Sequence, residues 1–263
     1  MELFFRKYGQ GYPIIILHGL YGCSDNWITI ARQLSEYAEV YIPDQRNHGQ
    51  SPHSKEHTYN SMKEDLLDFM NTNEIKKAVI LGHSMGGKTA MLFANDYPQK
   101  ISKLIIVDIS PKSYKKDTIN TEKHNMVLQT LFNLDLMNVK SYEQAEKDIN
   151  VKLKEERLTK FLLKNLKKNS SGNFEWKINL MALYNNIEAI TNGFDNIDLK
   201  LQTFPTLFLK GANSDYIKNE DFDKIKSSYK SSKIVTIPNC GHWLHVEQPN
   251  LFIKEVLGFL LET

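Results

Sequence analysis

The chain has 263 residues, with 33 Lys and Arg against 31 Asp and Glu, for a formal net charge of +2. So even a balance leaves no global field for nucleic acid or an anionic membrane, and it suits a neutral or modestly charged small molecule. No apolar run approaches the length that crosses a bilayer, and Cys23 and Cys240 have neither metal-type nor CxxC spacing, so both are read as reduced thiols.

At the N-terminus, Met1 to Lys7 carries charge on both sides of a short apolar run and lacks the apolar core of a signal peptide, so a cytoplasmic location is expected. Ile14-Ile15-Ile16-Leu17 is the first of several apolar runs rich in β-branched residues. Val40-Tyr41-Ile42, Ala78-Val79-Ile80-Leu81, Leu104-Ile105-Ile106-Val107, Thr206-Leu207-Phe208-Leu209 and Ile234-Val235-Thr236-Ile237 follow. Continuous runs of this kind fit strands buried on both faces, the mark of a largely parallel sheet. Helical spacing over Asn26 to Leu34, Ser61 to Met70, Thr89 to Asn95 and Asp221 to Lys226 gives the strand-helix alternation of a doubly wound α/β fold.

The first chemistry along the chain is His18-Gly19-Leu20-Tyr21-Gly22, directly after a strand. A hydrolase supplies one of two oxyanion N–H donors at this position, here that of Leu20. Taken alone, the same residues fit a tight turn with a hydrogen-bonded histidine. The stretch Asp44 to His53, with His57 beyond it, holds enough histidines to suggest a metal cluster. No zinc-type spacing aligns them, so a rigid loop braced by Asp44 and Arg46 is the better reading.

Gly82-His83-Ser84-Met85-Gly86 matches G-x-S-x-G between a strand and a helix. A serine hydroxyl is a poor nucleophile, and a sharp strand-to-helix turn lifts it clear and presents it to a base. The helix start also aims N–H groups at the site, with that of Met85 placed to stabilise an oxyanion. Gly82 to Thr89 equally spells G-x-x-x-x-G-K-T, a phosphate-binding loop with Lys88 as its lysine. Leu104 to Asp108 would then be the strand whose terminal aspartate holds Mg²⁺ in a P-loop NTPase. That alternative leaves His18-Gly19 and Gly241-His242 unexplained.

From Pro111 to about Lys200 the alternation stops, and helical periodicity takes over at Val127-Leu128, Leu131-Phe132 and Leu158, Phe161-Leu162, Leu166. This predicts a helical cap over 111–200, inserted between core segments 1–110 and 201–263, with Lys167 to Asn173 as a mobile loop. The cap's Leu, Phe, Met and Ile side chains suggest an apolar acyl pocket. Lys112, Lys115 and Lys116 could instead favour an anionic substrate such as an acyl-CoA, or form a solvated face.

Near the C-terminus, Gly241-His242 follows the last strand, at the sheet edge where open parallel sheets bind ligands. The chain order Ser, acid, His is that of a hydrolase triad on this kind of sheet, with His242 as base. His245 reads as structural, since a His242/His245 metal pair would need further ligands. Two acids compete to orient His242: Asp108, ending a strand, and Asp215, in the loop Gly211 to Tyr216.

The set HG-L-x-G, DxRNHGxSPH, GHSMGGK, VDISP and GHWxH resembles the α/β-hydrolase superfamily, and more narrowly the bacterial YbfF-type esterases. The resemblance runs from about residue 12 to 111 and again from 205 to 260. It implies a mainly parallel sheet with a helical cap, hydrolysis of small-molecule esters or acyl thioesters, and no cofactor. It carries the nucleophile onto Ser84, the base onto His242, and the oxyanion donors onto Leu20 and Met85. The narrower family implies Asp108 as the acid, the wider superfamily the loop of Asp215, and both stay open. A non-catalytic small-molecule receptor on the same fold is a further alternative, because fold and triad do not guarantee turnover.

Overall fold

The computed structural model describes residues 1–262 except 115–117, 193, 195, 196 and 198, with the side chains of 118–120 and 192 also set aside. Lys115 and Lys116 therefore lie outside the described residues. The strands are β1 (Phe5–Tyr8), β2 (Pro13–Leu17), β3 (Glu39–Pro43), β4 (Ala78–His83), β5 (Ile101–Val107), β6 (Leu166–Lys168), β7 (Phe174–Trp176), β8 (Thr206–Gly211) and β9 (Ser232–Ile237). The helices are α1 (Ile28–Leu34), α2 (Tyr59–Thr72), α3 (Met85–Asp96), α4 (Thr118–Phe132), α5 (Tyr142–Leu153), α6 (Glu156–Leu163), α7 (Leu180–Asn192), α8 (Phe222–Ser228), α9 (Leu244–Glu247) and α10 (Pro249–Leu261).

Seven strands form one sheet in the order β1-β3-β2-β4-β5-β8-β9. Only β1 runs antiparallel to its neighbour. The six apolar runs all fall in the parallel strands, where alternate residues feed opposite layers. Ile15 and Leu17 join a cluster with Leu66 of α2, Phe93 of α3 and Ile225 of α8. Ile14 and Ile16 join Leu34 of α1 and Val256 and Phe259 of α10 on the other face. Each such aliphatic side chain contributes roughly 1.5–3 kcal/mol when fully buried, so a polar residue on either face of these strands would be costly. Strand β1 is not among the apolar runs because it is a half-buried edge, with Phe5 packed on Tyr41 and Phe69.

Between β5 and β8 the chain builds a third cluster from α4 to α7, which also takes in Tyr21 from the loop after β2. Two expectations for this segment are corrected. Leu166 does not continue a helical stripe but opens β6, which pairs antiparallel with β7. The stretch expected as a mobile loop, Lys167 to Asn173, is a hydrogen-bonded hairpin. The Asn169 side chain accepts from the Ser171 and Asn173 N–H groups at 3.0 Å, and Asn173 C=O accepts from Asn169 N–H at 2.8 Å. Strands of three residues are too short to show a period of two, and local asparagine bonds took the place of an obvious turn signature. Among the described residues no helix is long and apolar enough to cross a membrane.

Candidate active site

The site gathers at the C-terminal ends of β2, β4, β5, β8 and β9. Ser84 follows β4 with φ +52° and ψ −117°, an uncommon conformation for a side-chain-bearing residue that costs on the order of 1–3 kcal/mol. Its N–H donates to the Val107 carbonyl at 3.0 Å, and its own carbonyl accepts from Lys88 N–H at 3.0 Å, so β5 and α3 hold the strained turn. Ser84 is the only residue from Ala78 to Asn95 that is not buried. The turn fits because Gly86 has no side chain: a Cβ there would stand 2.6 Å from the His18 carbonyl oxygen and closer still to that of Leu17.

His242 lies on the loop after β9. Its Nδ1–H donates to Asp108 Oδ2 at 2.7 Å, across 134 residues of sequence. Asp108 is fully buried, with φ +49°, and its other bonds come from the neighbouring strand's loop: Gly211 N–H reaches Oδ1 at 3.0 Å, and the Ser214 hydroxyl donates to Oδ2. Asp215, the second candidate acid, is exposed, one residue beyond the serine that bonds Asp108. The His242 ring is held between two others, stacked on Tyr216 at 4.1 Å and 4.7 Å from His83. His83 Nε2–H donates to the His242 carbonyl at 2.9 Å, and burial, with the adjacent His242 charge, keeps His83 well below the usual imidazole range. Ser214 and Tyr216 stand in the sequence as the N-S-x-Y of the loop Gly211 to Tyr216, a pattern like that of the YbfF-type esterases, but nothing in it assigned them these contacts.

The loop after β2 that carries Leu20 is fastened from outside. Gln45 N–H donates to His18 Nε2 at 2.9 Å, and Tyr21 N–H donates to His48 Nε2 at 3.2 Å. Asp44 accepts from Ser24 N–H at 2.6 Å and from Gln50 N–H at 2.8 Å, while Arg46 forms a two-pronged pair with Asp65 of α2. The histidine-rich stretch thus acts as the rigid brace expected of it, with Arg46 tied to a core helix rather than to the reacting groups. His245 stacks on Trp27 at 3.9 Å, with ring planes 11° apart.

Lys88 does not sit in a phosphate loop. Most of the G-x-x-x-x-G-K-T stretch lies in α3, so no loop is left to wrap a phosphate. The Lys88 side chain is buried, donates to the Lys112 carbonyl at 2.9 Å and lies over Tyr114, 4.6 Å from the ring centre. Asp108, the supposed Mg²⁺ ligand, is bound to His242. The nucleotide reading is therefore set aside. Lys112 pairs with Asp221 at 2.7 Å and borders neither cavity at Ser84.

Those cavities are unequal. One of about 480 Å³ is bordered by Ser84, His242, Leu20, Val127 of α4 and Leu158 and Phe161 of α6. One of about 40 Å³ also borders Ser84, against Leu20, Met85, Tyr59 and Ile190. Two cations on the larger rim are already paired, Lys123 with Glu155 at 2.9 Å and Arg157 with Glu247 at 3.1 Å.

A strained serine at a strand-helix turn, sharing a cavity with a histidine bonded to a buried carboxylate, defines a hydrolase of the α/β class. The chain belongs to the alpha/beta hydrolase fold family, which matches residues 12–249. It is 44% identical to a marine microorganism esterase of known structure, with a TM-score of 0.95, over 98% of this chain and 99% of that one. It is 30% identical to esterase YbfF of Escherichia coli strain K12, over 94% of this chain and 92% of that protein. An sn-1-specific diacylglycerol lipase of Danio rerio is 35% identical, over 96% of this chain and 79% of the lipase. Within its family the protein is a carboxylic ester hydrolase of the YbfF type.

Proposed function

We propose that the protein cleaves small-molecule esters through a covalent acyl-enzyme on Ser84. His242 takes the Ser84 proton as Oγ attacks the acyl carbon, and Asp108 holds the imidazole in the required tautomer and steadies its cation. The N–H groups of Leu20 and Met85 receive the oxyanion, Met85 being the first residue of α3, whose N–H has no acceptor within the helix. The tetrahedral species collapses as His242 returns the proton to the leaving alcohol. Water then repeats the sequence and frees the acid.

The observation that carries this reading is the 2.7 Å bond between His242 Nδ1 and the fully buried Asp108, at the sheet edge where half-buried Ser84 borders the same cavity as His242. Acyl thioesters would react by the same steps, and residues 111–200 would serve as the lid over the larger cavity. Two unpaired, buried cysteines are in keeping with a reducing, cytoplasmic setting.

The test is hydrolysis of short p-nitrophenyl esters by the wild type and by Ser84→Ala, with fluorophosphonate labelling of Ser84. Loss of a triad nucleophile costs up to about 10⁶ in kcat. A rate unchanged in the variant would overturn the mechanism, and failure to label Ser84 would favour a ligand receptor.

A further inference from the structure

Among the described residues of α4 to α7, His124 alone borders both cavities at Ser84. It hangs from α4, half-buried, with its accessible face forming cavity wall. The Tyr21 hydroxyl lies 3.4 Å from His124 Nδ1, and the two rings are 5.9 Å apart. Burial pushes the Tyr21 phenol up, so it keeps its proton and can donate it to Nδ1. With Tyr21 as donor, the His124 proton is on Nε2. Burial, then the neighbouring His242 and Lys123 charges, lowers His124 to about 4, so at neutral pH it offers one uncharged N–H donor.

The two sides of the site can be told apart. His242 must hand its proton to the departing oxygen, so the leaving group occupies the larger cavity, which His242 borders. The smaller pocket has Leu20 and Met85 on its wall but not His242, and it takes the acyl group. The cations of the larger cavity are neutralised by Glu155 and Glu247, which disfavours a charged leaving group.

Resting on the reading of Ser84 as nucleophile, we propose that His124 is a substrate-positioning residue that donates an Nε2–H hydrogen bond to an uncharged oxygen of the leaving alcohol. Esters of alcohols with a hydroxyl or ether oxygen are thereby favoured over plain alkyl esters of equal size.

The experiment compares kcat and KM for 2-hydroxyethyl acetate and propyl acetate with wild type, His124→Phe, His124→Gln and Ser84→Ala. One neutral hydrogen bond corresponds to about a five- to tenfold effect. His124→Phe is expected to lower kcat/KM for the hydroxyethyl ester by that factor and to leave the propyl ester within about twofold. His124→Gln, which keeps an N–H donor, recovers most of the preference. An equal fall on both esters, as from lost packing against Tyr21, or no change on either, overturns the proposal while Ser84→Ala still reports the nucleophile. A wild type inactive on both esters removes the ester-hydrolase mechanism and this inference together.

Discussion

Among the described residues the carboxylate of Asp108 is buried with no Lys or Arg partner, a placement tolerated only because its oxygens are hydrogen-bonded. The left-handed backbone at φ +49° turns the side chain across the end of β8, where Gly211 N–H and the Ser214 hydroxyl meet it. Replacing Asp108 with Asn keeps the volume but removes the charge and the tautomer control. In a serine-protease triad that exchange costs about 10⁴ in kcat, and a similar loss is expected here. Asp215→Asn, at an exposed position, should stay within about twofold, the usual reach of surface substitutions. Steady-state rates for the two variants decide the point, and a collapse confined to Asp215→Asn would reverse the assignment.

At the level of the element, the β4-to-α3 turn depends on how closely α3 approaches β2. Gly86 in the first turn of α3 faces the carbonyls of Leu17 and His18, and those residues lead directly into the Leu20 loop. A methyl group at position 86 meets the Leu17 and His18 backbone, which cannot swing away as a side-chain end would. Gly86→Ala must then part α3 from β2 and spread the Leu20 and Met85 donors. Overpacking of this kind costs about 1–3 kcal/mol in stability, whereas a misplacement of about 1 Å at reacting groups costs on the order of 10² in rate. Urea unfolding and kcat measured on the same preparation should show a still-folded protein with activity reduced about a hundredfold. Retained activity would mean that the loop tolerates the shift.

Across the whole molecule, histidines are buried as neutral groups at both ends of the site. Burial, then the Arg46 and His18 charges, lowers His57 to about 3, and its Nε2 has no hydrogen-bond partner among the described residues. His245, against Trp27, is lowered to about 3 by burial first and then by His242 and Lys164. The ordinary value is 6.5, so on acidification the unfolded chain takes up these protons before the folded one does. The stability these groups permit is fully present above about pH 6.5 and is lost as pH falls toward about 3. Each histidine accounts for about 2 kcal/mol of that loss by pH 5. Unfolding free energies at pH 7.5 and pH 5 should differ less for His245→Phe than for the wild type. An identical difference in the two proteins would show that His245 does not contribute.

The parallel strands were legible because a strand covered on both faces must be apolar at every position, and such runs survive without tertiary context. Ser84 and His242 were legible for a similar reason, each sitting in a short local pattern at a strand end. The proposed acid was not, because Asp108 and Asp215 both end on the same sheet edge. Which carboxylate turns inward depends on one backbone angle and on a loop contributed by a different strand. Strand β1 was hidden by its half-exposed edge, and the β6–β7 hairpin by strands of three residues. Lys88 showed the opposite failure: its spacing fitted a phosphate loop until α3 buried it over Tyr114. Ser214 and Tyr216 share one loop, while His124 lies far from them in the chain on α4, and no spacing links it to them. By itself the sequence determined the sheet and singled out Ser84 and His242 as the proposed nucleophile and base, since local sterics and burial are written in neighbouring residues. The pairing of Asp108 with His242, the stacking of Tyr216 on that ring and the two cavities at Ser84 were decided by tertiary structure, because contacts across more than a hundred residues exist only once the layers have packed.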